Sequence, residues 1–299
     1  MKKLIALMMA AIMVLALAAC GGNNSAAPAD DQAGEEAAKA AILVVSFGTT
    51  YDESRDVTIG AIEEEIAGAY PDYELRRAFT AQDIIDKLKN RLGLEIDNVT
   101  EALDRAVADG ITTLIVQPTH LMNGLEYNDL MDELENYYDK FEQVSVGAPL
   151  LDTDEDFYRV MNEIVDVTKE YDDGETAIVF MGHGTEAPSN AVYGTMQEKL
   201  RDAGYENYFV GTVEAEPSLE DVLAAVGEGS YKKVVLRDLM VVAGDHAHND
   251  MAGDEEDSWK STFEAAGYEV SCVLEGLGQI EGIREIYLDH VANAISALE

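Results

Sequence analysis

From Ala41 onward, short apolar runs alternate with stretches whose apolar residues recur every three or four positions. "AILVVSFGT" reads as a buried strand, and "ESRDVTIGAIEEEIAGAY" as a helix with Val57, Ile59, Ile62 and Ile66 near helical spacing. "YELRRAFT" is strand-like, and "NVTEALDRAVADG" reads as a helix with Gly110 at its C-terminal end. "ITTLIVQPTH" and "QVSVGAPL" supply two more strands. In "TDEDFYRVMNEIVDVTKEY", Phe157, Val160, Met161, Ile164 and Val165 share one helical face. Strands alternating with helices imply parallel sheets covered on both faces.

The second half repeats the first. "TAIVFMGHGT" aligns with "AILVVSFGTT", placing His183 on Phe47. "YENYFVGTVEAE" aligns with "YPDYELRRAFTA", placing Glu214 on Phe79. "KKVVLRDLMVVAGDHAHNDM" aligns with "TTLIVQPTHLMNGLEYNDLM", placing His246 on Glu126. The expected fold is therefore α/β, with two similar lobes at 41–152 and 153–299, each a parallel sheet flanked by helices.

The first 40 residues change the picture of where this chain works. "MKKLIALMMAAIMVLALAAC" has two lysines, an apolar run too short to span a bilayer, and Cys20. "LAAC" looks like the lipidation site of a bacterial lipoprotein, so residues 1–20 are read as a signal peptide and Cys20 as a lipid-anchored first residue. Residues 21–40 read as a Gly/Ala/Pro/Asp tether. The chain is expected to be exported and held at a membrane, facing away from the cytoplasm. Cys272, the other cysteine, sits in an apolar run and reads as a buried small residue.

A formal net charge of −39 argues against a nucleic-acid partner, which needs a basic face. It would concentrate cations near the surface. No P-loop, G-x-S-x-G or paired CxxC occurs, so phosphoryl transfer and serine hydrolysis find no support. "GHGTEA" also fits a loose dinucleotide fingerprint, but no suitable acidic residue follows and an imidazole would crowd a pyrophosphate.

The candidate chemistry comes from comparing the two halves. His183, Glu214 and His246 stand just past strands where the first half carries Phe47, Phe79 and Glu126. Ligand-binding groups gather outside the carboxyl ends of parallel strands, so three distant residues can meet in one cleft. Two imidazoles and a carboxylate suit a borderline divalent cation such as Co2+, Fe2+, Ni2+ or Zn2+. Glu214 is preferred to Glu216, since alternate strand residues point to opposite faces. His246 is preferred to His248, which is left as a supporting group, a staging ligand for incoming metal, or an exposed residue. His120 faces the cleft from the first lobe or is structural, and His290, in "IREIYLDHVANAI", reads as ordinary surface.

"VSFGT", "RAFTA", "QPTHLMNGLEY", "MGHGT", "VEAEP" and "VVAGDHAHNDMAGDEEDSWK" together resemble the anaerobic cobalt chelatases of CbiK type, across essentially all of 41–299. The resemblance implies two α/β lobes with an active site in the cleft between them. It implies insertion of Co2+, and in some members Fe2+, into sirohydrochlorin with loss of two pyrrole protons. Metal binding and proton acceptance then fall to His183, Glu214 and His246. Contacts to the tetrapyrrole fall to Arg77, Phe79, His120, Asn123 and Glu126, with Arg76, Arg77, Arg237 and Lys260 as the cations nearest the motifs. Homo-oligomerisation is an open possibility. The competing expectation is a lipoprotein that binds metal or haem and delivers it to an importer.

Overall fold

In the computed structural model, residues 39–299 are described; the signal-peptide, tether and Cys20 readings therefore lie outside the described residues, apart from the tether's last two positions. Two four-stranded parallel sheets carry the fold. In the first half, β1 (Ala40–Ser46) is followed by α1 (Asp52–Arg55), α2 (Ala61–Ala69), β2 (Glu74–Phe79), α3 (Gln82–Leu92), α4 (Val99–Ala108), β3 (Thr113–Pro118), α5 (Leu125–Leu134) and β4 (Gln143–Val146). After α6 (Asp154–Asp166), the second half runs β5 (Thr176–Gly182), α7 (Ala191–Asp202), β6 (Tyr208–Thr212), α8 (Leu219–Gly227), β7 (Lys233–Asp238), α9 (Trp259–Ala265), β8 (Glu269–Val273) and α10 (Glu281–Ser296). The sheet orders are β2-β1-β3-β4 and β6-β5-β7-β8. Each sheet therefore reverses its winding beside its first strand, where a crevice opens at the strands' carboxyl ends.

Local chemistry explains several boundaries. Asn98 with Glu101, Thr153 with Asp156, and Ser218 with Asp221 form reciprocal caps that start α4, α6 and α8. Gly110 adopts φ +72° just after α4, as its sequence position suggested. Between α1 and α2 the backbone forms a π-helical turn at Asp56–Gly60. That extra residue per turn buries Thr58 and Ile59 and leaves Val57 exposed, so the even helical spacing read from sequence fails at Val57.

Each sheet is covered on both faces. Leu43, Val45, Leu114 and Val116 pack under the helices of the first lobe. Val179, Val234, Leu236, Trp259 and Phe263 do the same in the second. The opposite faces share a single core, in which Ile42, Val44 and Ile115 join Ile178, Phe180 and Val210 through α6 and α10. Helix α10 comes from the chain's end yet packs on α2, α6, β3 and β4. Tyr287 donates to the Thr119 carbonyl at 2.9 Å. His290, expected at the surface, is buried between Asp156 Oδ1 (3.2 Å) and the Ala148 carbonyl (3.1 Å). Burial alone would raise the Asp156 carboxyl, but hydrogen bonds from Thr153 and the nearby His290 outweigh it and hold it below its ordinary value.

Candidate metal site in the interlobe cavity

The strand ladders define which positions of the two lobes are equivalent. Ser46 pairs with Phe79, and Gly182 pairs with Thr212. Beyond the strands, Ala81 N–H donates to the Phe47 carbonyl and Glu214 N–H donates to the His183 carbonyl. His183 thus corresponds to Phe47 as expected, but Glu214 corresponds to Ala81 and not to Phe79. The sequence alignment of that segment was two residues out of register. Phe79, at Thr212's position, is fully buried against Ile59, Ile85 and Leu88 and lies outside the cavity lining. In the third pair, Val45 faces Pro118 and Met181 faces Asp238, which sets His120 opposite Met240 and Glu126 opposite His246.

A cavity of about 670 Å3 lies where the strand ends of both lobes meet. Its size falls in the range of small-molecule and cofactor sites. Phe47, Thr49 and Tyr51 after β1, and His120, Met122 and Glu126 after β3, line it from the first lobe. His183, Glu214, Met240, Asp245 and His246 line it from the second. Arg77 and Asn123 do not belong to the lining: Arg77 is held in an ion pair by Glu63, and Asn123 is exposed to solvent. Arg76, Arg237 and Lys260 are likewise bound elsewhere, by Glu74 and Asp109, by Glu275, and by Asp254.

One donor atom each from His183, Glu214 and His246 lies within 4.8 Å of the other two. His183 Nε2 is 3.7 Å from Glu214 Oε2, and the two imidazole rings are edge to face with centroids 4.7 Å apart. His183 stands between two glycines that the packing demands. A Cβ at Gly182 would come 2.1 Å from the Tyr193 ring, and one at Gly184 would come 2.8 Å from the Ala215 nitrogen. Gly184 also has φ +88°, which only glycine adopts freely. His183 Nδ1 is 3.0 Å from the Gly184 carbonyl. A carbonyl only accepts, so Nδ1 carries the proton and the Nε2 lone pair is left to face Glu214. His246 Nδ1 meets Asp250 Oδ2 at 2.7 Å, which orients the second ring in the same way.

His246 and His248 point to different surroundings, His246 into the cavity and His248 onto Tyr51. The segment Ala247–Met251 is a π-helical turn, preceded by His246 in helical conformation. His248 stacks on Tyr51 of the first lobe, centroids 4.3 Å apart and planes 8° from parallel. Tyr51 Oη donates to Asp245 Oδ1 at 3.4 Å. The two lobes therefore touch at the rim of the cavity through groups that sequence reading did not pair. Glu216 turns away and accepts from Ser218 N–H at the start of α8.

His120 lines the cavity, yet both its ring nitrogens are buried without a hydrogen-bond partner. Burial pushes this imidazole down to about 4, so it is neutral at ordinary pH. Asp238, at the end of β7, is fully buried and unpartnered, and its burial keeps the carboxyl well above the usual carboxylate range. Cys272 is half-buried on β8, and burial pushes its thiol up.

The family model described as cobalt chelatase (CbiK) matches residues 40–296. Sirohydrochlorin cobaltochelatase of Salmonella typhimurium is 36% identical over 256 residues, spanning 86% of this chain and 96% of that protein. Sirohydrochlorin cobaltochelatase CbiKC of Nitratidesulfovibrio vulgaris is 33% identical over 263 residues, spanning 86% of this chain and 91% of that protein. Among solved structures, SirB from Bacillus subtilis with Fe3+ shares the fold at TM-score 0.61 and 14% identity, over 87% of this chain and 97% of its own. The siroheme-biosynthesis enzyme CbiX of denitrifying bacteria does so at TM-score 0.51 and 14% identity, over 85% and 99%. With two parallel-sheet lobes about one cavity and a match running from β1 through α10, this chain belongs to the cobalt chelatase (CbiK) family and is a metal chelatase.

Proposed function

We propose that this chain inserts Co2+ into sirohydrochlorin, that His183, Glu214 and His246 present the metal, and that it works outside the cytoplasm on a lipid anchor at Cys20. The observation that carries the metal site is the convergence of two imidazoles and one carboxylate, from three separate strand ends, to within 4.8 Å. Three protein donors leave coordination positions open for the pyrrole nitrogens. The same donor set suits Fe2+ and Ni2+, so the choice of Co2+ rests on the family.

In this reading the macrocycle enters between the lobes, with Phe47, Met122 and Met240 as apolar surface for the ring. The cation waits on the Nε2 atoms and Glu214. Bringing it against the ring favours loss of the pyrrole protons, because the cation and those protons repel. The two imidazoles and Glu214 accept them as the metal leaves for the ring. His120 and Glu126 approach from the first lobe, His120 as a neutral imidazole in the cavity wall. Two protons leave and no electron moves.

The test uses the full chain in detergent, under anaerobic conditions, with sirohydrochlorin and Co2+ in excess and absorption followed over time. Many turnovers, lost in His183→Ala, support the enzyme. A change that stops at one equivalent would replace it with a stoichiometric binding protein. Labelling of Cys20 by a lipid precursor in cells, lost in Cys20→Ser, tests the anchor separately.

A further inference from the structure

Carboxylates outnumber cations in this chain by 59 to 20, and the cavity lining follows suit. Glu126, Glu186, Glu214 and Asp245 all line it, against one cationic side chain, Lys87. In so acidic a protein a lysine without a carboxylate partner is unusual. Among the described lysines and arginines, only Lys39, Lys87 and Arg201 form no ion pair, and of these only Lys87 lines the cavity.

Lys87 sits on α3, where helical spacing places Asn90 and Arg91 beside it. These three and Thr50 also line a shallow depression that adjoins the cavity at Lys87. Arg91 is anchored there by the Thr50 carbonyl and by Asp52 at 2.7 Å. The mouth of the cavity thus offers one free ammonium beside a guanidinium held by Asp52 and a side-chain amide whose NH2 can donate.

Resting on the chelatase reading, we propose that Lys87, flanked by Asn90 and Arg91, is the docking point for a peripheral carboxylate of the tetrapyrrole. A carboxylate-rich macrocycle entering this cavity meets repulsion from the four acids, and Lys87 is the group that offsets it. An anchored rim carboxylate holds the ring by its edge at the cavity mouth. Lys87 is a substrate-binding residue and takes no part in proton removal.

The experiment measures binding of metal-free full chain to sirohydrochlorin and to its methyl-esterified form, then the KM for tetrapyrrole and for Co2+ separately. Lys87→Glu is expected to weaken sirohydrochlorin binding and raise its KM about tenfold, with Lys87→Gln about threefold, since such pairs are modest in water and like charges repel. The KM for Co2+ and kcat should hold within about twofold, because an interaction made equally in ground and transition states changes KM alone. Added salt should narrow the gap, Lys87→Arg should restore affinity, and the ester should not distinguish wild type from Lys87→Glu. Equal affinity of wild type and Lys87→Glu for sirohydrochlorin would overturn the docking point. So would an equal loss for the ester, or a fall in kcat at constant KM. A wild-type chain that binds no tetrapyrrole would overturn the chelatase reading first and this proposal with it.

Discussion

The two lobes share strand order, ladder register and even the backbone hydrogen bonds past their first strands, yet only one carries the candidate metal site. Phe47, Ala81 and Glu126 stand in the first lobe where His183, Glu214 and His246 stand in the second. Gly48 and Gly184 both take positive φ, at +97° and +88°, so the turn that presents the key side chain is common to both. The scaffold was retained and the chemistry was written on one side only. A metal ion needs donors on one side and open coordination on the other. The first lobe accordingly supplies an apolar wall, one carboxylate and a neutral imidazole, which suit a ring facing the ion.

The comparison is broken most severely by removing the donors of the second lobe. His183→Ala or His246→Ala should lower metal insertion a hundredfold or more, read as initial rate, since each removes a donor and a proton acceptor. Unchanged activity in either would move the site elsewhere. Glu214→Ala writes the first lobe's residue into the second and should cost at least tenfold, while Glu216→Gln should stay within about twofold. A larger loss at Glu216 would put the turn after β6 out of register with the proposed site. Asp250→Asn leaves His246 in place but weakens the acceptor on Nδ1, and should lower Co2+ affinity about tenfold by titration calorimetry.

The smallest effect concerns His120, whose counterpart is Met240. Its folded value of about 4 lies below the ordinary imidazole value, so the unfolded chain takes up this proton first as pH falls. The native state therefore loses stability from about pH 6.5 down to pH 4, by at most about 1.4 kcal/mol per pH unit. His120→Met copies the second lobe and should flatten that slope in denaturant melts at a series of pH values. Identical slopes in the two proteins would show that the imidazole is solvated in the native state.

Much of this was legible in the sequence. Short apolar runs marked the strands, and the repeat exposed positions where imidazole replaced phenylalanine or glutamate. His183 stood out because glycine flanks it on both sides. Other features were hidden for identifiable reasons. Phe79 was matched to Glu214 because "YENY" and "YPDY" align well by composition, whereas register is set by the hydrogen-bond ladder, which residue identity does not encode. Arg77 and Asn123 sat in the right motifs, but a motif does not say which face a side chain takes. His290 resembled surface because its helix is rich in polar residues, yet α10 crosses to the other lobe and is packed on several sides. Lys87 carried no signal at all: a lysine on an exposed helical face looks like any other until neighbouring carboxylates are found to be paired elsewhere.

The sequence by itself determined the α/β class, the twofold repeat and the residue types available to hold a metal, because hydrophobic periodicity and side-chain chemistry are properties of the chain. Tertiary structure decided which of those residues meet. Donors separated by 31 and 32 positions in the sequence converge only after two sheets have stacked their strand ends around one cavity. It also decided which charges are free, since a partner 20 or more residues away is invisible until the chain has folded. Proximity and pairing are collective outcomes of packing, and a local pattern can propose them without choosing among them.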